Sequence, residues 1–164
     1  MRSTPLVALC TAVLLLAGAA VAGDFGTRAE ARAMLERVVA GIVADKPRTL
    51  AAIDRGTDGF VDRDLYAFCG GPDGMLSAHP YVAGGPFHDF VDVTGKPVGR
   101  DVYARAREGE VGEIDYKFTR PGSAGEVLDK VLLFTKVADQ VCGVGYYFEA
   151  PTKATDAGSV GSTG

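Results

Sequence analysis

Apolar residues recur in pairs every four positions between Thr27 and about Asp45: Met34 and Leu35, Val38 and Val39, Ile42 and Val43. That spacing predicts a helix with one apolar stripe, and Arg28, Glu30, Arg32, Glu36 and Arg37 fall largely off it. Thr27, with Glu30 three residues on, has the spacing of a capping box. Pro47 is expected to end the helix, with Arg48 to Ile53 forming a further short one. The period then shortens to two. In Asp64 to Cys69, Tyr66 and Phe68 share one face, and Leu65, Ala67 and Cys69 share the other, as in a strand. Gly70-Gly71-Pro72-Asp73-Gly74 is dense in turn formers, so Met75 to His79 is predicted to return as the partner strand. Tyr81 to Pro97 reads as loop, and Val98 to Arg107 as a short helix ending near Gly109. In Glu113 to Phe118, apolar Ile114, Tyr116 and Phe118 alternate with charged residues, which predicts a half-buried strand. A turn at Pro121-Gly122-Ser123 precedes a longer strand, Val127 to Val137. The short Ala138-Asp139-Gln140 connection then leads into Val141 to Phe148. Three strands joined this closely predict an antiparallel meander.

The element order is therefore helix, two strands, loops and three strands, which fits one α+β domain with a long helix against one sheet. A length of 164 residues suits a single domain, expected here over 23–149. The segments on either side read differently. Arg2 is followed by an almost wholly apolar run from Leu6 to Ala22, and Ala20-Val21-Ala22 fits an A-x-A cleavage site. Residues 1–22 are thus expected to be a signal peptide, with a retained membrane anchor as the rival reading. From Ala150 to Gly164, Gly, Ser, Thr and Ala predominate, a composition expected of a disordered tail.

Charge narrows the partners. The net charge is −4 with both signs scattered, so no basic stripe exists to follow a phosphate backbone and nucleic acid is not an expected partner. Without Cys10 in the leader, Cys69 and Cys142 remain. An even pair in an exported chain suggests a disulfide, worth about 4 kcal/mol across so long a loop in the chain-entropy view. Two separate buried thiols are the alternative.

The ordered set Asp64-Leu65-Tyr66-Ala67-Phe68-Cys69, Pro72-Asp73-Gly74, Ala78-His79-Pro80 and Val141-Cys142-Gly143-Val144-Gly145-Tyr146-Tyr147 resembles the single Cache domain, an extracytoplasmic sensing module related to PAS domains. The resemblance runs over about Arg28 to Phe148. It implies a PAS-like, five-stranded, mainly antiparallel sheet in which the first and last strands are central neighbours. Cys69 and Cys142 would then meet. It also implies a ligand cavity beside the sheet, with Lys130 and His79 near it and Tyr116 at the family's recurring strand tyrosine.

Read from the residues alone, Lys130 shares an apolar face with Leu128, Leu132 and Phe134, so its ammonium needs a carboxylate from protein or ligand, or must reach a sheet edge. His79 beside Pro80 is either a turn residue or a donor to a carboxylate. Tyr66, Tyr81, Tyr116 and Tyr146 offer hydroxyls to a small polar ligand, although each alone is more often a core residue. Gly143 and Gly145 are expected to allow close packing in a central strand.

His79, His88, Asp89 and Asp92 lack metal-site spacing, and the stretch from Asp54 to Leu65 lacks the terminal Glu of a calcium loop. Neither metal nor cofactor is expected. No G-x-S-x-G elbow is present, and a hydrolase or isomerase pairing His79 with Asp92 ranks last. The expected function is that of an exported, periplasmic or secreted, non-enzymatic sensor. It would bind a short carboxylate through Tyr66, His79, Tyr81, Tyr116 and Lys130. No second membrane helix, kinase or methyl-accepting segment is evident, so it would act through a separate partner, such as a membrane-bound receptor or sensor kinase. The alternative is an exported interaction module whose cavity is filled by its own side chains.

Overall fold

The helix α1, Arg28–Arg55, opens with the expected capping box: Thr27 accepts from the Glu30 amide and Glu30 accepts from the Thr27 amide. These contacts come from a computed structural model, which describes residues 25–82, 84–120 and 124–148. The expected leader at 1–22, the turn at 121–123 and the tail at 150–164 lie outside the described residues. Among the described residues no helix is long and apolar enough to cross a membrane.

Pro47 does not end α1. The helix breaks at Asp45, whose backbone is extended (φ −158°, ψ 89°), and then resumes. Asp45 caps the resumed segment by accepting from the Arg48 amide at 3.1 Å. Pro47 falls in that first turn, where its missing N–H would have had no helical acceptor. The stripe of Met34, Leu35, Val38 and Ile42 is buried, but Val43, counted with it from sequence, is 75% exposed.

The strands are β1 (Val61–Asp62), β2 (Leu65–Gly70), β3 (Leu76–Ala78), β4 (Gly112–Thr119), β5 (Val127–Val137) and β6 (Gln140–Tyr147). A second helix, α2 (Val98–Arg105), precedes β4. The sheet therefore has six strands, one more than expected, because the two-residue β1 is too short to show a period. Its order is β1-β2-β6-β5-β4, with β3 also paired to β2. First and last long strands are central neighbours, and every named pairing is antiparallel.

Cys69 lies directly opposite Cys142 in the β2–β6 ladder, and the two are joined as a disulfide with Cα atoms 4.0 Å apart. This bond sits on the face covered by α1, among Leu35, Ile53, Leu65, Leu133 and Val144. The opposite face carries Tyr66, Phe68, Ile114, Tyr116, Leu132 and Phe134, covered by α2 and by the 79–97 segment. The alternation in β2 thus divides the protein into a helix-backed core and a second, aromatic layer.

Candidate functional site

Residues directly opposite in an antiparallel ladder project to the same side of the sheet. Lys130 faces Tyr116 across β4 and Tyr147 across β6, in the aromatic layer. The lysine is 1% exposed. Its Nζ donates to the Tyr66 hydroxyl at 2.9 Å. The amine also stands 4.2 Å from the Tyr66 ring centroid, 4.5 Å from that of Tyr147 and 5.2 Å from that of Phe118. Ring faces attract a cation, so this cage offsets part of the lost hydration.

Among the described residues no carboxylate forms an ion pair with the amine. Asp64 acts on it only through space, being engaged with the Gly26 amide at 2.7 Å and Arg120 Nε at 3.2 Å. Burial accordingly pulls the Lys130 pKa from 10.5 down to about 7, with the Asp64 charge opposing the shift. The amine can thus gain or lose its proton near neutrality.

Gly145 makes the position possible. A Cβ there would come within 2.5 Å of Lys130 Cε and 3.3 Å of Nζ, so the lysine stem occupies the room that a side chain would fill. Gly143 plays the same part for Leu132 and Phe68, whose atoms would lie 2.8 and 3.1 Å from an added Cβ.

His79 follows β3 and is fixed at both ends. Its amide donates to Asp54 at 2.8 Å. Its Nδ1 accepts from the amides of Tyr81 and Val82, each at 3.1 Å. With Nδ1 an acceptor, the neutral ring carries its proton on Nε2 and keeps that donor for another partner. Burial, aided by the Lys130 charge and opposed by Asp54, lowers the His79 pKa to about 4. The phenols of Tyr66 and Tyr116 are pushed up by burial and remain O–H donors.

Between this face and the 79–97 segment lies a partly open cavity of about 240 Å³. Tyr66, His79 and Tyr116 contribute its polar side chains. Lys130 is not in the wall. It is bonded to the hydroxyl of Tyr66, a lining residue, and that oxygen can accept from the amine while donating to another partner.

The structure therefore brings together four of the five predicted ligand residues, in two layers rather than one. Tyr81 is the exception: it is 55% exposed and meets the rings of Tyr66 and His79 from outside, at 5.3 and 5.9 Å. The Pro80 turn, held by the amides bonded to His79 Nδ1, carries Tyr81 outward. Tyr146, considered from sequence, falls on the helix-backed face instead.

Sequence reasoning missed Tyr147, Phe118, Phe87 and Phe90 as site residues. Tyr147 was legible in strand register with Lys130 and Phe118 as the same-face neighbour of Tyr116 on β4, whereas the phenylalanines at 87 and 90 come from a segment with no period. His79 and Asp92 bond to separate partners. Asp92 accepts from the amides of Thr94, Lys96 and Lys117 and from the Thr94 hydroxyl, which hold its carboxyl well below the usual range. Those bonds make Asp92 a loop organiser rather than a base. Among the described residues, no group of three or more His, Cys, Asp or Glu is placed to hold a metal ion.

A larger groove, about 440 Å³, runs between α1 and β5 past Leu35, Val39 and Val137. Arg32, Glu36 and Lys136 stand along it, but the buried ionisable groups with displaced pKa values lie at the smaller cavity.

No family model and no curated protein matches the chain. Solved structures do. A methyl-accepting chemotaxis protein from Vibrio parahaemolyticus superposes with a TM-score of 0.59 at 19% identity, over 73% of this chain and 87% of that one. The periplasmic sensor domain of a chemotaxis protein gives 0.51 at 21% identity, covering 73% and 88%. A Cache chemosensory domain described for carboxylic acid recognition gives 0.52 at 16% identity, covering 73% and 86%. The chain has the fold of a Cache-like sensor domain.

Proposed function

We propose that this chain is an exported sensory domain that binds a small organic anion of the short-carboxylate class and acts through a separate signalling partner, without catalysing a reaction. The observation that carries the reading is the Lys130 amine, 1% exposed and without a carboxylate partner among the described residues. A buried ammonium is stabilised when an anion arrives. A carboxylate in the cavity would accept from the Tyr66 hydroxyl, the Tyr116 hydroxyl and His79 Nε2. Its charge would return the proton to Lys130 behind Tyr66. Charge-assisted bonds of this kind suffice to hold a small acid in a desolvated site.

The rival reading, an interaction module with a filled interior, calls for a closed and wholly apolar core. A partly open cavity with three polar side chains in its wall favours a ligand. Export to the periplasm or beyond is supported by the apolar leader ending in Ala20-Val21-Ala22 and by the Cys69–Cys142 bond, which oxidising compartments preserve. A thermal-shift screen of acetate, propionate, pyruvate and lactate on protein freed of bound small molecules tests the anion. Stabilisation by at least one, lost in Lys130→Met, is expected; no stabilisation by any would remove the short-carboxylate class from the reading.

A further inference from the structure

The polar groups occupy only part of the cavity wall. Phe68, Phe87, Phe90 and Phe118 line the remainder with Leu76 and Pro86, and no acidic side chain appears among the described lining residues. Three features follow for a guest. Its single anionic group must be met at Tyr66, His79 and Tyr116. A second negative charge would face aromatic rings without a partner, and an ammonium would find no carboxylate among the described lining residues, ring faces offsetting only part of its lost hydration. The remaining room is ring-sized, since an apolar cavity of roughly 150 Å³ takes benzene and this one measures about 240 Å³.

The rings already meet edge to face, Phe68 with Phe87 at 4.9 Å and Phe90 with Phe118 at 5.8 Å. An aromatic guest extends that packing. We infer that the cavity selects monocarboxylates with a ring-sized apolar body, such as arylacetates, over two-carbon acids, dicarboxylates and amino acids. This rests on the anion reading above and specifies the rest of the molecule.

Isothermal titration of ligand-freed protein with acetate, phenylacetate, phenylacetamide, phenylalanine and succinate tests it. Phenylacetate should bind about ten- to hundred-fold more tightly than acetate, the increment expected for burying a ring. Phenylacetamide, phenylalanine and succinate should each fall well below phenylacetate. Acetate binding as tightly as phenylacetate would overturn the ring-sized guest and leave the anion reading standing. Phenylacetamide matching phenylacetate would overturn the anion reading itself. Succinate or phenylalanine matching phenylacetate would overturn the exclusion of a second charge, and no binding by any of the five would overturn both readings.

Discussion

Replacing Lys130 with Met should stabilise the ligand-free protein at pH 6, and the gain should disappear by about pH 10. Methionine keeps the unbranched stem that lies over Gly145 and removes only the charge. In the folded protein burial holds the lysine pKa at about 7, against an ordinary 10.5. Below pH 7 the amine is protonated in both states, and the folded state carries the full penalty of a buried cation. Between pH 7 and 10.5 the unfolded chain binds more protons, so wild-type stability rises with pH. Above that window both states are neutral and the penalty is gone. At 1.36 kcal/mol per pKa unit the difference is about 5 kcal/mol, an upper bound. Loss of the Tyr66 hydrogen bond in the variant removes about 1 kcal/mol of the gain, so a net advantage of about 2–4 kcal/mol is expected at pH 6. Urea denaturation of both proteins at pH 6, 8 and 10, after unfolding and refolding to strip small molecules, measures it. Parallel pH curves would refute the reasoning, because they would mean that the amine is hydrated or already neutralised.

Other consequences follow from the same geometry. Anion affinity should be level between about pH 5 and 7, above the carboxylic-acid range, and fall up to about tenfold per pH unit above pH 7 as free Lys130 loses its proton. Titrations in buffers of different ionisation enthalpy should then show proton uptake on binding. His79 should titrate near pH 4 rather than 6.5, with its neutral proton on Nε2, which nitrogen-detected NMR reads directly. Gly145→Ala should move the lysine stem, at about 1–3 kcal/mol in stability, and weaken anion binding more than Gly143→Ala does. Replacing Cys69 and Cys142 together by Ala should lower stability by about 4 kcal/mol for a separation of 73 residues, read as a shift in the urea midpoint.

Much of the fold was legible because it is written in periods. The four-residue repeat of α1, the two-residue alternation of β2 and β4, and the short β5–β6 turn each survive in the structure. Pro47 was misread because a proline in a first helical turn and a proline ending a helix look alike from sequence. The cap at Asp45 decides between them. The site was legible where it lies on strands: register alone sets Lys130 opposite Tyr116 and Tyr147. It was not legible where it lies on the 79–97 segment. Phe87 and Phe90 face the cavity because hydrogen bonds such as Gly99 N to Phe90 O fix that chain, and no periodicity announces them. Tyr81, on the same segment, is placed outside the cavity wall, which no periodicity announces either.

The buried lysine and its glycine make sense together only if something other than stability maintains them. An apolar residue at 130 would remove a destabilising charge, and a larger residue at 145 would fill space in a central strand. Instead, the strand leaves a gap beside Gly145, the lysine stem fills it, and the amine ends among three rings with a phenol as its hydrogen-bond acceptor. Such an amine changes protonation when an anion comes within a few ångströms, because a modest shift in local potential moves a pKa that already sits near 7. Tyr66 lies on β2, beside the disulfide-linked β6, and its neighbour Asp64 holds the Gly26 amide at the start of α1. The charge that an anion would alter is thus one hydrogen bond from Tyr66, two residues along the chain from the carboxylate that holds the start of α1.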